Sequence, residues 1–264
     1  MERAWVSASV LDLWGKPASE SGRVNQALYG EIVQVVRRQA LFALVEQEDG
    51  YRGWADRRFL SPVSVAVYRR LKKARWMTVV RQSARLFGND GRKAVPPYLM
   101  VYGTRCPVMS VRGERVRIAT PNEKAIYVKR SCLLPIQDKR GRVTPGMLVT
   151  EARRFLGVPY LWGGTTPLGF DCSGFVRAVY GRFGYELPRD TKDQIRCGHS
   201  IERESVRPAD LLFFDRHVAI AMSRGKYVHA SRGGGGVAIN SFEETSPDFR
   251  ADLMKELATI RRIV

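Results

Sequence analysis

Histidine is scarce in this chain: three occur in 264 residues, and His199, His217 and His229 all lie in the C-terminal half. Chemistry that needs an imidazole is therefore confined to that half. The four cysteines (Cys106, Cys132, Cys172 and Cys197) are scattered, with no CxxC pair and no metal-type spacing against histidine. A structural zinc site normally shows such short ligand spacing, so only a dispersed Cys/His/His set stays open as a metal alternative. A chain of this length stands on its core without disulfides, and free thiols are expected. No run of eighteen apolar residues occurs, which excludes a helical membrane span. The N-terminus, Met1-Glu-Arg-Ala-Trp5, lacks the basic-then-apolar stretch of a secretory signal. A cytoplasmic protein is expected; a secreted or wall-associated one whose signal had been removed would read the same.

Acidic residues are also few, 26 against 44 basic ones, for a net charge of +18. The imbalance is regional. Residues 1–142 hold 27 Lys and Arg against 12 Asp and Glu, while residues 143–264 hold 17 against 14. A basic surface attracts polyanions: nucleic acid, an acidic wall polymer or a membrane face. No zinc-finger, helix-turn-helix or RNA-recognition signature accompanies it, so no nucleic-acid partner is expected. An anionic wall polymer stays open as a partner, beside the plainer account of a solvated arginine-rich face.

What the chain does contain falls into three segments. Residues 1–62 carry Glu31-Ile-Val-Gln-Val-Val, Leu41-Phe-Ala-Leu-Val-Glu and Tyr51-Arg-Gly-Trp-Ala, short β-branched and apolar runs broken by turn residues. Residues 74–136 repeat the style with Trp76-Met-Thr-Val-Val, Leu99-Met-Val-Tyr-Gly and Ala125-Ile-Tyr-Val-Lys. Val63 to Lys73 reads as a connector between them. From Thr144 to Val264 the pattern changes. Thr144-Pro145 is a helix start followed by apolar residues at helical spacing, a glycine-rich loop spans 157–169, and a helix is predicted from Cys172. A shorter helix after Pro188 and strands at Leu211, His217, Tyr227 and Val237 complete an α+β pattern.

Cys172, in Asp171-Cys172-Ser173-Gly174, sits where the glycine-rich loop meets its helix. A helix N-terminus favours a thiolate and turns backbone N–H groups toward a developing oxyanion. Taken alone, such a cysteine is as readily a packing residue. His217 opens one apolar strand and His229 lies in the next; if the strands pair, one imidazole can take the thiol proton while the other orients it. His199, in the polar stretch Cys197-Gly-His199-Ser200, is expected in a surface loop.

Tyr160-Leu-Trp-Gly-Gly-Thr-Thr-Pro-Leu-Gly-Phe-Asp-Cys172-Ser-Gly-Phe resembles the nucleophile segment of the NlpC/P60 cysteine peptidases. Leu187-Pro-Arg-Asp-Thr-Lys-Asp-Gln194, Ala209-Asp-Leu-Leu-Phe-Phe before His217-Val-Ala-Ile, and Tyr227-Val-His229-Ala-Ser follow in that family's order. Leu28-Tyr-Gly-Glu31, Asp49-Gly-Tyr-Arg-Gly-Trp54 and Leu60 resemble a bacterial SH3-like module; the second β segment is more divergent. The resemblance implies an α+β, papain-like catalytic domain preceded by two small all-β SH3-like barrels. It implies Cys172 as nucleophile, His217 as base, His229 as the third polar residue and Tyr160 as an oxyanion donor, with no cofactor or metal. The two-residue turn before His217, Asp215-Arg216, is shorter than in many relatives.

The three-module layout is similar to the γ-D-glutamyl-L-diamino acid endopeptidases of that family. This implies cleavage of murein stem peptides with a free N-terminal L-Ala. Asp171 is then the partner of the ammonium, Glu31 and Tyr51 line the far end of the cleft, and Ser173 and Thr191 are further substrate contacts. A D,L-endopeptidase on intact peptidoglycan, a catalytically silent wall-peptide binder and an acyltransferase are the alternatives.

Overall fold

Short apolar runs alternating with polar residues build the first half of the chain into antiparallel sheet. The computed structural model describes residues 2–89, 93–136, 143–223 and 225–264. They fall into two units, Met1–Ile136 and Gln137–Val264.

In the first unit, strands β1 (Glu2–Val6), β2 (Val10–Trp14), β3 (Arg23–Leu28), β4 (Ile32–Gln39), β5 (Phe42–Glu46), β6 (Arg52–Asp56) and β7 (Leu60–Val63) form one sheet. The order is β3-β2-β6-β5-β4-β1-β7. Period-two alternation sends Leu11 and Leu13 of β2 into a core with Val6, Val33 and Val45. A helix, α1 (Val65–Lys73), follows. The second sheet comprises β8 (Arg75–Val79), β9 (Ser83–Phe87), β10 (Ala94–Val101), β11 (Arg105–Arg112), β12 (Arg115–Ile118), β13 (Ile126–Lys129) and β14 (Leu133–Pro135). Its order, β10-β9-β13-β12-β11-β8-β14, repeats that of the first sheet strand for strand. In each sheet a 3-10 turn immediately precedes the last strand, Arg57–Phe59 and Arg130–Cys132.

Two expectations change here. Closed barrels were expected, but among the described residues each order ends openly, at β3 and β7 and at β10 and β14. The terminal strands β7 and β14 contain Pro62 and Pro135, which have no N–H to donate to a closing ladder. The segment read as a connector is mostly helix α1. Ser64 caps it, its Oγ accepting the Val67 N–H at 3.2 Å. Its one deeply buried residue is Leu71, so the helical period had little apolar signal to show. Leu71 packs in a cluster with Met77, Leu86 and Met100 of the second sheet and with Trp5 and Tyr29 of the first. The two sheets therefore share a core, and Trp5 meets Tyr29 edge to face at 5.6 Å.

The second unit contains α2 (Pro145–Arg153), a short hairpin of β15 (Thr165–Thr166) and β16 (Gly169–Phe170), α3 (Cys172–Gly181) and α4 (Thr191–Gln194). Strands β17 (His199–Ser200), β18 (Leu211–Phe214), β19 (His217–Ala221), β20 (Lys226–Ser231) and β21 (Gly236–Ser241) follow, then α5 (Ala251–Lys255) and β22 (Thr259–Arg262). The six strands form an antiparallel sheet in the order β17-β22-β18-β19-β20-β21. Helix α3 packs against β19, β20 and α2, giving the α+β arrangement the sequence implies. Phe155, Phe170 and Phe175 meet edge to face beside the start of α3, with centroids 5.2 to 6.4 Å apart. His199 is exposed as expected, but it lies in the two-residue strand β17, paired with Arg262, instead of a loop. Among the described residues no helix is long and apolar enough to cross a membrane.

Candidate active site

Helix α3 starts at Cys172 because Asp171 caps it: Asp171 Oδ1 accepts the Gly174 N–H at 2.7 Å. The first turn is set down by direct backbone packing. A Cβ on Gly174 would lie 2.1 Å from the Gly164 carbonyl oxygen, so glycine is required where the Trp-Gly-Gly loop crosses the helix. Gln194, fully buried, ties α4 to the same turn by donating to the carbonyls of Ser173 (3.0 Å) and Pro188 (2.8 Å).

Cys172 is buried, 8% exposed. Its sulfur lies 3.8 Å from the Thr191 hydroxyl, with the backbone N–H groups of Val218 and Ser173 near enough to favour its ionised form. Val218 adjoins His217, so β19 is brought to the sulfur at the residue next to the expected base. A helix-start argument anticipates a depressed thiol pKa. Here burial dominates and pushes the Cys172 thiol up, with the nearby Asp171 carboxylate adding to it; Thr191 and the two N–H groups pull the other way.

His217 Nε2 and His229 Nδ1 are 2.8 Å apart, and His229 Nε2 lies 2.9 Å from Asn240 Oδ1. Bonding through Nε2 leaves Nδ1 as the His217 nitrogen that can serve a thiol. Burial first, then His229 and Arg250, push His217 down to about 3. Burial likewise lowers His229 to about 4, with the Asn240 hydrogen bond opposing it. Each group by itself thus favours its neutral form, an un-ionised thiol and two neutral imidazoles. Tyr160 is half-buried, and burial together with Cys172 and Asp171 raises its hydroxyl to about 12, so it stays a hydrogen-bond donor.

Asp171, expected to receive an ammonium, already holds an ion pair. Arg189 Nη2 lies 2.5 Å from Asp171 Oδ2, and the Gly163 N–H donates to the same oxygen at 3.0 Å. Ser173 is buried within this network, its Oγ accepting from Arg189 at 2.9 Å. Glu31 and Tyr51 belong to the first unit. The Glu31 carboxylate accepts the Leu28 N–H at 3.0 Å and the Gln47 amide at 2.8 Å; the Tyr51 hydroxyl donates to the Val24 carbonyl at 3.3 Å. Sequence reasoning missed Asn240 and Arg189. Asn240 had one signal, a polar residue closing the apolar run Val237-Ala-Ile; Arg189 lay inside a quoted motif with nothing to reveal its partner.

The pattern described as the NlpC/P60 family matches residues 157–252, and that described as a bacterial SH3 domain matches residues 9–61. Over 135 residues the chain is 36% identical to the murein DD-endopeptidase MepS/murein LD-carboxypeptidase of Escherichia coli (strain K12), covering 47% of this chain and 71% of that protein. The chain belongs to the NlpC/P60 family. Membership in this family makes it a cysteine peptidase. It is also 26% identical over 278 residues to the gamma-D-glutamyl-L-lysine dipeptidyl-peptidase of Bacillus subtilis (strain 168), covering 99% of this chain and 88% of that one. The crystal structure of an NlpC/P60 family protein from Bacillus cereus ATCC 10987 has the same fold, with a TM-score of 0.86 at 24% identity over 99% of both chains.

Proposed function

We propose that this chain hydrolyses the γ-D-glutamyl–diamino acid bond of murein stem peptides bearing a free N-terminal L-Ala. The observation that carries this reading is the hydrogen-bonded pair of His217 on β19 and His229 on β20, with Val218 of β19 beside the Cys172 sulfur, in a chain matched along 99% of its length by a γ-D-glutamyl-L-lysine dipeptidyl-peptidase. In the proposed reaction His217 Nδ1 takes the Cys172 proton as the sulfur attacks the γ-carbonyl carbon of D-Glu. The oxyanion is received by the Cys172 backbone N–H and the Tyr160 hydroxyl. The imidazolium of His217 then protonates the leaving amine, and water, deprotonated by His217, resolves the thioester to free enzyme and acid. Thr191, 3.8 Å from the sulfur, borders the same point.

On this reading the substrate ammonium shares Asp171 with Arg189, and the substrates are released peptides met in the cytoplasm. The basic excess of residues 1–142 supports a further attraction to anionic wall polymer, which would favour the intact sacculus instead. Mass analysis of products from L-Ala-γ-D-Glu-L-Lys, from its N-acetylated form and from intact sacculi tests both. The expected result is L-Ala-γ-D-Glu plus lysine from the free peptide alone. Equal cleavage of the acetylated peptide, or a preference for sacculi, would overturn the free-amine reading. Cys172→Ala should abolish hydrolysis with an unchanged circular dichroism spectrum.

A further inference from the structure

The six-stranded sheet carries a hydrogen-bonded chain that extends past the two histidines and ends on backbone. Asn240 lies on β21, opposite Tyr227 of β20, while Ala238 stands opposite His229. The small Ala238 side chain leaves Asn240 free to reach His229 diagonally across the pair. Asn240 Nδ2 lies 2.7 Å from the Asp248 carbonyl oxygen, and that oxygen also accepts the Ser241 N–H at 3.1 Å. A carbonyl only accepts, so the end of the Asn240 amide facing it must be the NH2 group, which settles the amide orientation.

We infer that Asn240 is a positioning residue that sets which nitrogen of each histidine carries the proton, and thereby keeps His217 Nδ1 free to act as base. With the amide oriented by Asp248, Asn240 Oδ1 faces His229 Nε2 at 2.9 Å and can only accept. His229 Nε2 must then bear hydrogen. Neutral His229 has a bare Nδ1, which accepts from His217 Nε2 at 2.8 Å. Neutral His217 therefore holds its single proton on Nε2, and its Nδ1 lone pair is open. A flipped amide would reverse each bond and put the His217 proton on Nδ1, where no base would remain. The carbonyl of Asp248 thus determines the tautomer of the base through three hydrogen bonds. The charged and titratable groups around the pair are Arg250, which disfavours protonation of both rings, Asp252, which is ion-paired with Arg250, and the Tyr227 phenol against His229.

The inference rests on the proposed Cys172–His217 reading, but its direct test needs no substrate. With only three histidines in the chain, 15N-histidine labelling and long-range 1H–15N correlation give a readable spectrum. Wild-type protein should show His217 and His229 both as Nε2–H tautomers at pH 7. Asn240→Ala should leave His229 a tautomer mixture and lower kcat about 10- to 100-fold, the scale of losing a group that orients a working imidazole, with KM nearly unchanged. Asn240→Asp keeps an acceptor for His229 Nε2 but loses the donor to the Asp248 carbonyl, so it should hold the Nε2–H tautomer of His229, while its carboxylate moves the acid limb of the pH profile upward. A wild-type His229 protonated on Nδ1, an Asn240→Ala spectrum like wild type, or an Asn240→Asp spectrum with His229 as a tautomer mixture would each overturn the inference. If wild type cleaves no stem peptide while the tautomers follow this pattern, the substrate reading fails and the positioning role stands.

Discussion

The Asp171 carboxylate and the Arg189 guanidinium form a buried ion pair at 2.5 Å, directly before Cys172, with side chains only 10% and 2% exposed. Asp171 therefore has three tasks: it caps α3, it neutralises Arg189, and on the proposed reading it receives the substrate ammonium. Removing one partner of a buried pair strands the other charge, which costs roughly 3–5 kcal/mol. Asp171→Ala should lose about that much in urea unfolding, and Asp171→Ala with Arg189→Met should recover much of it. An Asp171→Ala protein within about 1 kcal/mol of the parent would contradict the pair's importance. Amine recognition is better tested with Asp171→Asn, which keeps an oxygen for the Gly174 N–H; its preference for free over acetylated peptide should fall.

Close backbone packing under the first turn of α3 predicts opposite outcomes for two glycines of the same helix. Gly174→Ala drives a Cβ into the Gly164 carbonyl at 2.1 Å, whereas nothing lies within 4 Å of a Cβ at Gly181. Gly174→Ala should destabilise by about 1–3 kcal/mol and lower kcat/KM as the first turn shifts. Gly181→Ala should be stabilised by about 0.5–1 kcal/mol through helix propensity. Thermal melts of the two variants check both signs; a neutral Gly174→Ala would sink the packing argument.

Tyr160→Phe removes one proposed oxyanion donor while preserving the ring. The expected loss is about 10²- to 10³-fold in kcat with little change in KM. Steady-state kinetics on the tripeptide decide it, and a change confined to KM would assign the hydroxyl to substrate binding instead.

Stability should depend on pH through the two histidines. Burial holds His217 at about 3 and His229 at about 4, below the ordinary 6.5. As pH falls through 6.5 the unfolded chain protonates both rings while the folded chain resists, so the unfolded state binds more protons. Their contribution is complete above pH 6.5 and is lost progressively as pH falls toward 4 and then 3. Tm measured from pH 8 to pH 4.5 should drop below 6.5, and His229→Gln should flatten that drop. An identical pH dependence in the variant would show that carboxylates alone cause it.

Local pattern made much of the site legible. Cys172 as first residue of a helix, and His217 and His229 in successive strands, follow from residue type and spacing, because strand and helix periods are encoded within a few residues, whereas the capping role of Asp171 emerged only from the structure. Helix α1 was missed for the complementary reason: with Leu71 as its one deeply buried residue, its helical period is supported by tertiary packing more than by pattern.

The amino-acid order alone determined the α+β character of the C-terminal unit and singled out Cys172, His217 and His229 as the candidate thiol and imidazoles. Tertiary structure decided how those groups are held: that Arg189 neutralises Asp171, that Asn240 and the Asp248 carbonyl orient His229, and that burial outweighs the helix start at Cys172. The physical reason is range. Propensity and periodicity act between near neighbours, whereas proton positions and buried charges depend on partners 8 to 18 residues away that only folding brings within hydrogen-bond distance.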